Sequence, residues 1–391
     1  MATAFDILVK DNQATPTPRG NLKRRGAYGL RFSTILPGGC AECTFNLPFE
    51  GNLQRLIIPT YLGFNYRVDV MDGGEFIWSG RMEDVVFHKG TDGYYFTVTA
   101  RGYGMNLNDQ MYTTQNVQGQ VSSATISQAI TDLAPQIGSV TITATGFTLN
   151  NAAAINLQMM TAGAVIAWAA RYGDSAYNPQ QWFVYPTSNG TIEFTFEARP
   201  TATDVEGYLS DFVEAEMGLF GKNAYNRAII RYNSGGTYYQ LDNTTQQGAG
   251  PTGWGVVRAL NAVLPEITSS ADAAQAANTM LSQFGTLRMA ATSLRAPAGA
   301  KTLRLYDTNG APVKPWSMKA GQLFRFRDVD PAQQAQTNLA WSNAFVIAGT
   351  EYDEDAQTVT LTPEGFDNSA EKLQAKVEYL LRGRYGLGGV A

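Results

Sequence analysis

"YRVDVMDGGEFIWSGRMEDVVFHKGTDGYYFTVTARG", residues 66–102, settles the fold class by its period. Tyr66, Val68 and Val70 fall on one side of a strand, Asp72-Gly73-Gly74 supplies the turn, and a return strand runs through Phe76 and Trp78. A second hairpin follows, turning around Gly90 to Gly93 and placing Tyr94, Phe96, Val98 and Ala100 on one face. Short antiparallel strands at this spacing predict a small barrel or sandwich from about residue 28 to residue 106.

Outward from this stretch, the segment up to residue 25 ends in "PTPRGNLKRRG" and reads as a basic N-terminal arm. Residues 107–203 read as an inserted α+β unit. One helix carries Ile126, Ile130 and Leu133, and a second is capped by Thr161 with Val165 and Trp168 on one side. A hairpin around Ser188-Asn189-Gly190 completes the unit. "YNRAIIRYNSGG" then gives a strand with Tyr225, Arg227, Ile229 and Arg231 on one face and Asn226, Ala228, Ile230 and Tyr232 on the other. An isolated strand cannot satisfy its backbone, so this one is expected to return to the first barrel, giving a split domain of 26–106 plus 204–241. Residues 242–285 read as a polar connector and an alanine-rich helix capped by Ser269 or Ser270 and closed by Gly285. Residues 286–391 read as a second barrel ending in an amphipathic helix with Leu373, Val377, Leu380 and Leu381 on its apolar side. The fold class expected is mainly β, with two small antiparallel barrels, an inserted α+β domain and short helices. "DVVFHKGTDGYYFTVTA" is echoed by "FVIAGTEYDEDAQTVTLTP", and "VDVMDGGEFIWSG" by "LRLYDTNGAPVKPWSMKAG", which permits two related barrels.

The 391 residues exceed one ordinary core and suggest two to four domains. Only 16% are charged, against roughly a quarter in typical soluble proteins, so strand faces are expected to be covered by other protein. The net charge of −5 argues against tight nucleic-acid binding, which needs a basic stripe. Cys40 and Cys43 form a C-x-x-C with no second pair, and the single histidine, His88, has no partner histidine. The incomplete set of ligands favours two structural thiols over a zinc or redox site. One histidine also excludes most hydrolytic triads, and no phosphate loop is present, so neither an enzyme nor a cofactor is expected. The acidic cluster Asp353, Glu354 and Asp355 reads as a solvated turn, without the ligand spacing of an EF-hand. No run approaches the roughly 18–20 apolar residues of a membrane span, so stable membrane insertion is not expected.

In their order and spacing, "LRFSTILPGGCAECTFNLP", "VDVMDGGEFIWSGRMEDV", "YNRAIIRYNSGG", "SADAAQAANTMLSQF", "PWSMKAGQLFRFRDVDP" and "AFVIAGTEYDEDAQTVTLTPEG" resemble the baseplate hub and tail-associated proteins of tailed phages, over roughly residues 25–380. The resemblance implies two tail-tube-like barrels per subunit and a homotrimer closing a pseudo-sixfold ring at the distal end of the virion tail, assembled in the host cytoplasm. It also implies contacts with a distal tail protein hexamer, a tape-measure protein and tip or fibre proteins, with transient passage of genomic DNA. On that reading Arg227, Arg231, Tyr225 and Ile229 face an interface. The competing readings are the hub of a contractile injection apparatus and a carbohydrate-binding β-protein that stacks sugars on aromatics such as Trp254.

Overall fold

The computed structural model describes residues 5–11, 16–49, 61–90, 93–113, 117–118, 123–143, 155–170, 172–174, 176–219, 224–233, 236–249, 253–264, 267–285, 288–298, 303–329, 340–341 and 343–364. The chain is mainly β with few helices. The expected C-terminal helix lies outside the described residues.

Strand alternation places the apolar positions of the N-terminal half inward. Phe5, Ile7, Val9, Val68, Val70, Trp78, Phe96, Val98 and Ala100 are all buried. The segment read as an arm supplies the strand Phe5–Lys10, which pairs antiparallel with Arg67–Asp72. Three apolar residues at every second position bury too much surface to remain a solvated tail.

Six strands of this half hydrogen-bond in the spatial order Tyr28–Ile35, Gly38–Pro48, Gly93–Gly102, Glu75–Gly90, Arg67–Asp72, Phe5–Lys10. The second half repeats that order as Glu214–Leu219, Arg288–Pro297, Thr358–Pro363, Ala344–Asp353, Leu323–Phe326, Val205–Gly207. Both halves also visit these positions in the same sequence along the chain. They differ at the last pairing, which is antiparallel in the first half and parallel in the second. The duplication extends to a β-bulge. The register slips between Met82 and Asp84 in one hairpin and between Ile347 and Gly349 in the other, with Met82 and Ile347 both fully buried. The echo between these hairpins is therefore structural. The other echo stands at different places in the two halves: Tyr306–Asp307 turns back to Pro312 and pairs with Val205–Gly207, while the position of Arg67–Asp72 is taken by Leu323–Phe326.

Among the described residues no closed barrel occurs, and the halves are joined edge to edge because Tyr28–Ile35 pairs antiparallel with Ala344–Asp353. Each half supplies the partner for the other's exposed N–H and C=O groups, so neither needs to curl onto itself. One continuous core runs beneath this seam.

The strand Arg227–Tyr232 does not return to the first half. It is the centre of a separate three-stranded sheet, antiparallel to Thr237–Asp242 and parallel to Ala259–Leu264. The end of the expected "connector" thus provides a strand, Ala259–Leu264, and its crossover satisfies the backbone that the sequence left unpaired. Val205–Gly207 and Glu214–Leu219 belong to the second half, so the interruption lies within that half, between Glu214–Leu219 and Arg288–Pro297.

The α+β unit stands between the two halves. The helices Ser123–Leu133 and Ala162–Ala170 pack with the hairpin Gln180–Pro186 and Ile192–Ala198. The Thr161 hydroxyl caps the second helix by accepting from the Ala164 N–H at 3.1 Å. The unit shares its core with the three-stranded sheet and the helix Ser270–Phe284, through Ala228, Ile230, Ala273, Ala276 and Ala277. Small alanines let that helix lie close to the sheet. Its N-terminus is capped by Ser269, which accepts from the Asp272 N–H at 3.1 Å. Gln275 and Thr279 donate to the Tyr172 carbonyl at 2.8 and 2.9 Å, tying the helix to the α+β unit.

This second body is stitched to the main sheet at Gly39. The Gly39 backbone has φ +84°, and a Cβ there would sit 2.3 Å from the Val184 carbonyl oxygen. Only glycine lets Gln180–Pro186 run parallel to Gly38–Pro48 at this point.

Candidate assembly interface

Two surfaces carry the candidate interface: the seam with its free continuations, and the outer face of the three-stranded sheet. At the seam Tyr352 stacks on Phe32 with ring centroids 5.1 Å apart, and Phe5 meets both rings edge-on. The Thr34 and Thr350 hydroxyls hydrogen-bond at 2.7 Å, and the Trp78 indole N–H donates to the Ser33 carbonyl at 3.2 Å. Polar contacts close the end of the seam. Arg31 pairs with Asp353 at 3.1 Å, while Glu354 accepts from the Leu30 N–H at 2.9 Å and pairs with Lys23. The acidic cluster read as a solvated turn is thus a joint between halves. On the other side of the seam Asp72 accepts from Lys314 at 2.6 Å and from the Trp316 indole at 2.9 Å.

The continuous sheet ends on two strands whose outer edges have no partner among the described residues. Glu214–Leu219 pairs only with Arg288–Pro297. Glu75–Gly90 is covered by Arg67–Asp72 as far as Arg81, and Met82 exchanges backbone hydrogen bonds with Tyr66 and Asn65, which leaves the outer edge of residues 84–90 without a partner among the described residues. Apolar groups gather there. Phe87 stacks on Tyr94 at 5.7 Å and meets Phe49 at 5.1 Å, yet Phe87 and Val86 remain 48% and 50% exposed. His88 stacks on Tyr95 at 4.9 Å. The sequence marked this stretch as strand; nothing in its period told which strands would lack a neighbour.

The four residues singled out from sequence lie on or beside the three-stranded sheet, with the alternation expected: Ala228 and Ile230 are fully buried, while Arg227 and Ile229 are half-buried and Arg231 is exposed. Arg231 stands at register between Tyr238 and Val263, which are 64% and 52% exposed. Arg227 is occupied within the chain. Its Nε donates to Asp242 at 2.6 Å, and Gln240 and Gln247 add amide hydrogen bonds to the same carboxylate. Tyr225 precedes the strand, donates its N–H to the Phe284 carbonyl at 3.0 Å and lies 5.8 Å from the Arg258 guanidinium.

The Arg227 guanidinium, helped by the two amides, holds the Asp242 carboxyl down to about 2. A folded-state pKa depressed in this way contributes stability above the usual carboxylate range, and that contribution is lost as pH falls through about 2. A carboxyl-carbon NMR titration of wild type is expected to place Asp242 near 2. In Arg227→Ala the resonance is expected to titrate higher, and an unchanged midpoint would remove Arg227 as the cause.

Cys40 and Cys43 are buried free thiols. Burial pushes Cys40 up to about 12 and Cys43 higher still, which disfavours the thiolate that metal binding and redox exchange need. Among the described residues no group of three or more His, Cys, Asp or Glu side chains could hold a common metal ion. No described helix is long and apolar enough to cross a membrane. Trp254 is half-buried rather than an open stacking platform, and its backbone N–H donates to the Gln246 carbonyl.

No protein-family model and no curated protein matches the sequence. Solved structures do match. The tail protein from Neisseria meningitidis MC58 superposes with a TM-score of 0.56 at 12% identity, covering 94% of this chain and 98% of that one. A prophage tail protein, gp18, from Listeria monocytogenes EGD-e gives 0.55 at 12% identity over 96% and 99%. The 43 kDa tail protein of prophage MuSo2 from Shewanella oneidensis gives 0.54 at 14% over 92% and 98%. The chain has the fold of phage tail proteins. At these identities the likeness concerns the path of the backbone across both halves and the second body.

Proposed function

We propose that the chain is a structural, non-enzymatic hub of a phage tail: three copies close a ring at the distal end of the tail, join the distal tail protein hexamer to the tip, and surround the channel used by the tape-measure protein and then by DNA. The observation that carries this reading is the duplicated six-strand order within one continuous sheet. Three chains with two such halves present six similar units to a sixfold partner and threefold symmetry to a tip. Fold likeness to three tail proteins over more than nine-tenths of the chain supports the same reading. The net charge of −5 suits a conduit through which DNA slides without being held.

The test is assembly of the purified full chain, alone and with the distal tail protein, followed by mass photometry and electron microscopy. Trimeric particles with near-sixfold symmetry at the sheet ring are expected. Persistent monomers in the presence of the partner, or a closed dimer, would reject the hub.

A further inference from the structure

The seam inside the chain specifies the contact between chains. Superposing the two halves by their shared strand order and bulge places Asp84 on Gly349, Val85 on Thr350, Phe87 on Tyr352, His88 on Asp353 and Lys89 on Glu354. The same alignment places Glu214–Leu219 on Tyr28–Ile35, with Ala215 at the position of Leu30. Within the chain, the outer edge of 349–353 is covered by Tyr28–Ile35. In the first half the equivalent edge, 84–90, has no partner among the described residues, and the strand equivalent to its cover, Glu214–Leu219, carries the other such edge.

We infer that residues 84–90 of one chain pair antiparallel with Glu214–Leu219 of a second copy, repeating the internal seam and bringing Lys89 opposite Ala215. The inference deepens the ring reading and rests on it.

Three observations carry the pairing. First, neither edge has a backbone partner among the described residues, and an unpaired strand edge is a hazard that folded proteins remove by covering it. Second, the exposure of side chains differs between the halves in the way a missing neighbour requires. Tyr352 is 1% exposed beneath its cover, whereas Phe87 at the same position is 48% exposed, and Val213 at the head of the other edge is 70% exposed. Third, charge is complementary with the sign reversed. The seam sets Glu354 against Lys23 and the Leu30 N–H, whereas the open edges offer Lys89 on one side and, on the other, Glu214, which pairs with Arg295 at 3.5 Å and stays exposed. A contact between two different edges of identical chains is head-to-tail, so it propagates around a ring instead of stopping at a dimer.

Facing residues in an antiparallel pair have Cα atoms about 4.5–5.5 Å apart, within disulfide reach. The full chain carrying Lys89→Cys with Ala215→Cys is assembled with the distal tail protein, oxidised and run on a non-reducing gel. Covalent dimers and trimers are expected from the double variant and none from Lys89→Cys alone. Phe87→Asp, which keeps the hairpin but charges the edge, is expected to lower ring yield at least tenfold while the circular dichroism spectrum is retained. Wild-type rings together with an uncross-linked double variant and a ring-forming Phe87→Asp would overturn the edge assignment and leave the hub reading intact. Failure of the wild-type chain to form rings would overturn both.

Discussion

Asp69→Ala is expected to lower the unfolding free energy of the main sheet by about 3–5 kcal/mol, the range for breaking a buried ion pair from one side. The Asp69 side chain is fully buried and is met by Lys10 at 2.9 Å, the Arg67 Nε at 2.7 Å and the Ser79 hydroxyl at 2.6 Å. Those residues sit on three neighbouring strands, so the carboxylate ties together the layer opposite the seam. Lys10 and Arg67 also lie 5.3 and 6.0 Å from the Phe76 ring, which leaves them few routes to water if the carboxylate goes. Arg67 donates in addition to the Gly190 carbonyl at 2.6 Å, so its displacement loosens the α+β hairpin as well. Denaturant unfolding followed by tryptophan fluorescence reads the effect, since Trp78 lies in the same core. A loss below about 1 kcal/mol would place the network in the class of solvent-screened pairs.

Tyr352→Ala is expected to cost about 3–5 kcal/mol, because an aromatic ring removed from a packed core leaves a cavity that its neighbours fill only in part. Tyr352 stacks on Phe32, meets Phe5 at 5.1 Å and lies 6.4 Å from Trp316, so the loss falls on the seam between halves. Amide hydrogen exchange should therefore accelerate most along Tyr28–Ile35 and 349–353, with the three-stranded sheet unaffected. Tyr352→Phe, which keeps the ring, is expected to retain most of the stability. Phe87→Ala at the equivalent open position is expected to cost the isolated chain less than Tyr352→Ala. Equal losses at the two positions would contradict the difference in burial.

Both predictions depend on distinctions that the sequence shows only in part. Alternation identified the inward residues of the hairpin at 66–102 and correctly divided Ala228 and Ile230 from Arg227 and Ile229. Local chemistry placed one cap at Thr161 and narrowed the other to Ser269 or Ser270, of which the structure uses Ser269. These features depend on neighbours within a few residues, where strand and helix periods act directly. The candidate interface was less legible. Arg227 was marked as facing an interface, and its pairing with Asp242, fifteen residues away, comes from a cross-strand register that no local pattern specifies.

What the sequence determined by itself was the kind of each element and its buried face, because these follow from side-chain period and backbone preference. Tertiary structure alone decided which strands became neighbours: Phe5–Lys10 in a sheet instead of an arm, Arg227–Tyr232 beside Ala259–Leu264, and Tyr28–Ile35 against Ala344–Asp353 across more than three hundred residues. Every strand edge offers the same repeating N–H and C=O groups, so backbone hydrogen bonding cannot choose among edges. The choice falls to the packing of faces brought together from distant parts of the chain, and to the edges left over once that packing is complete.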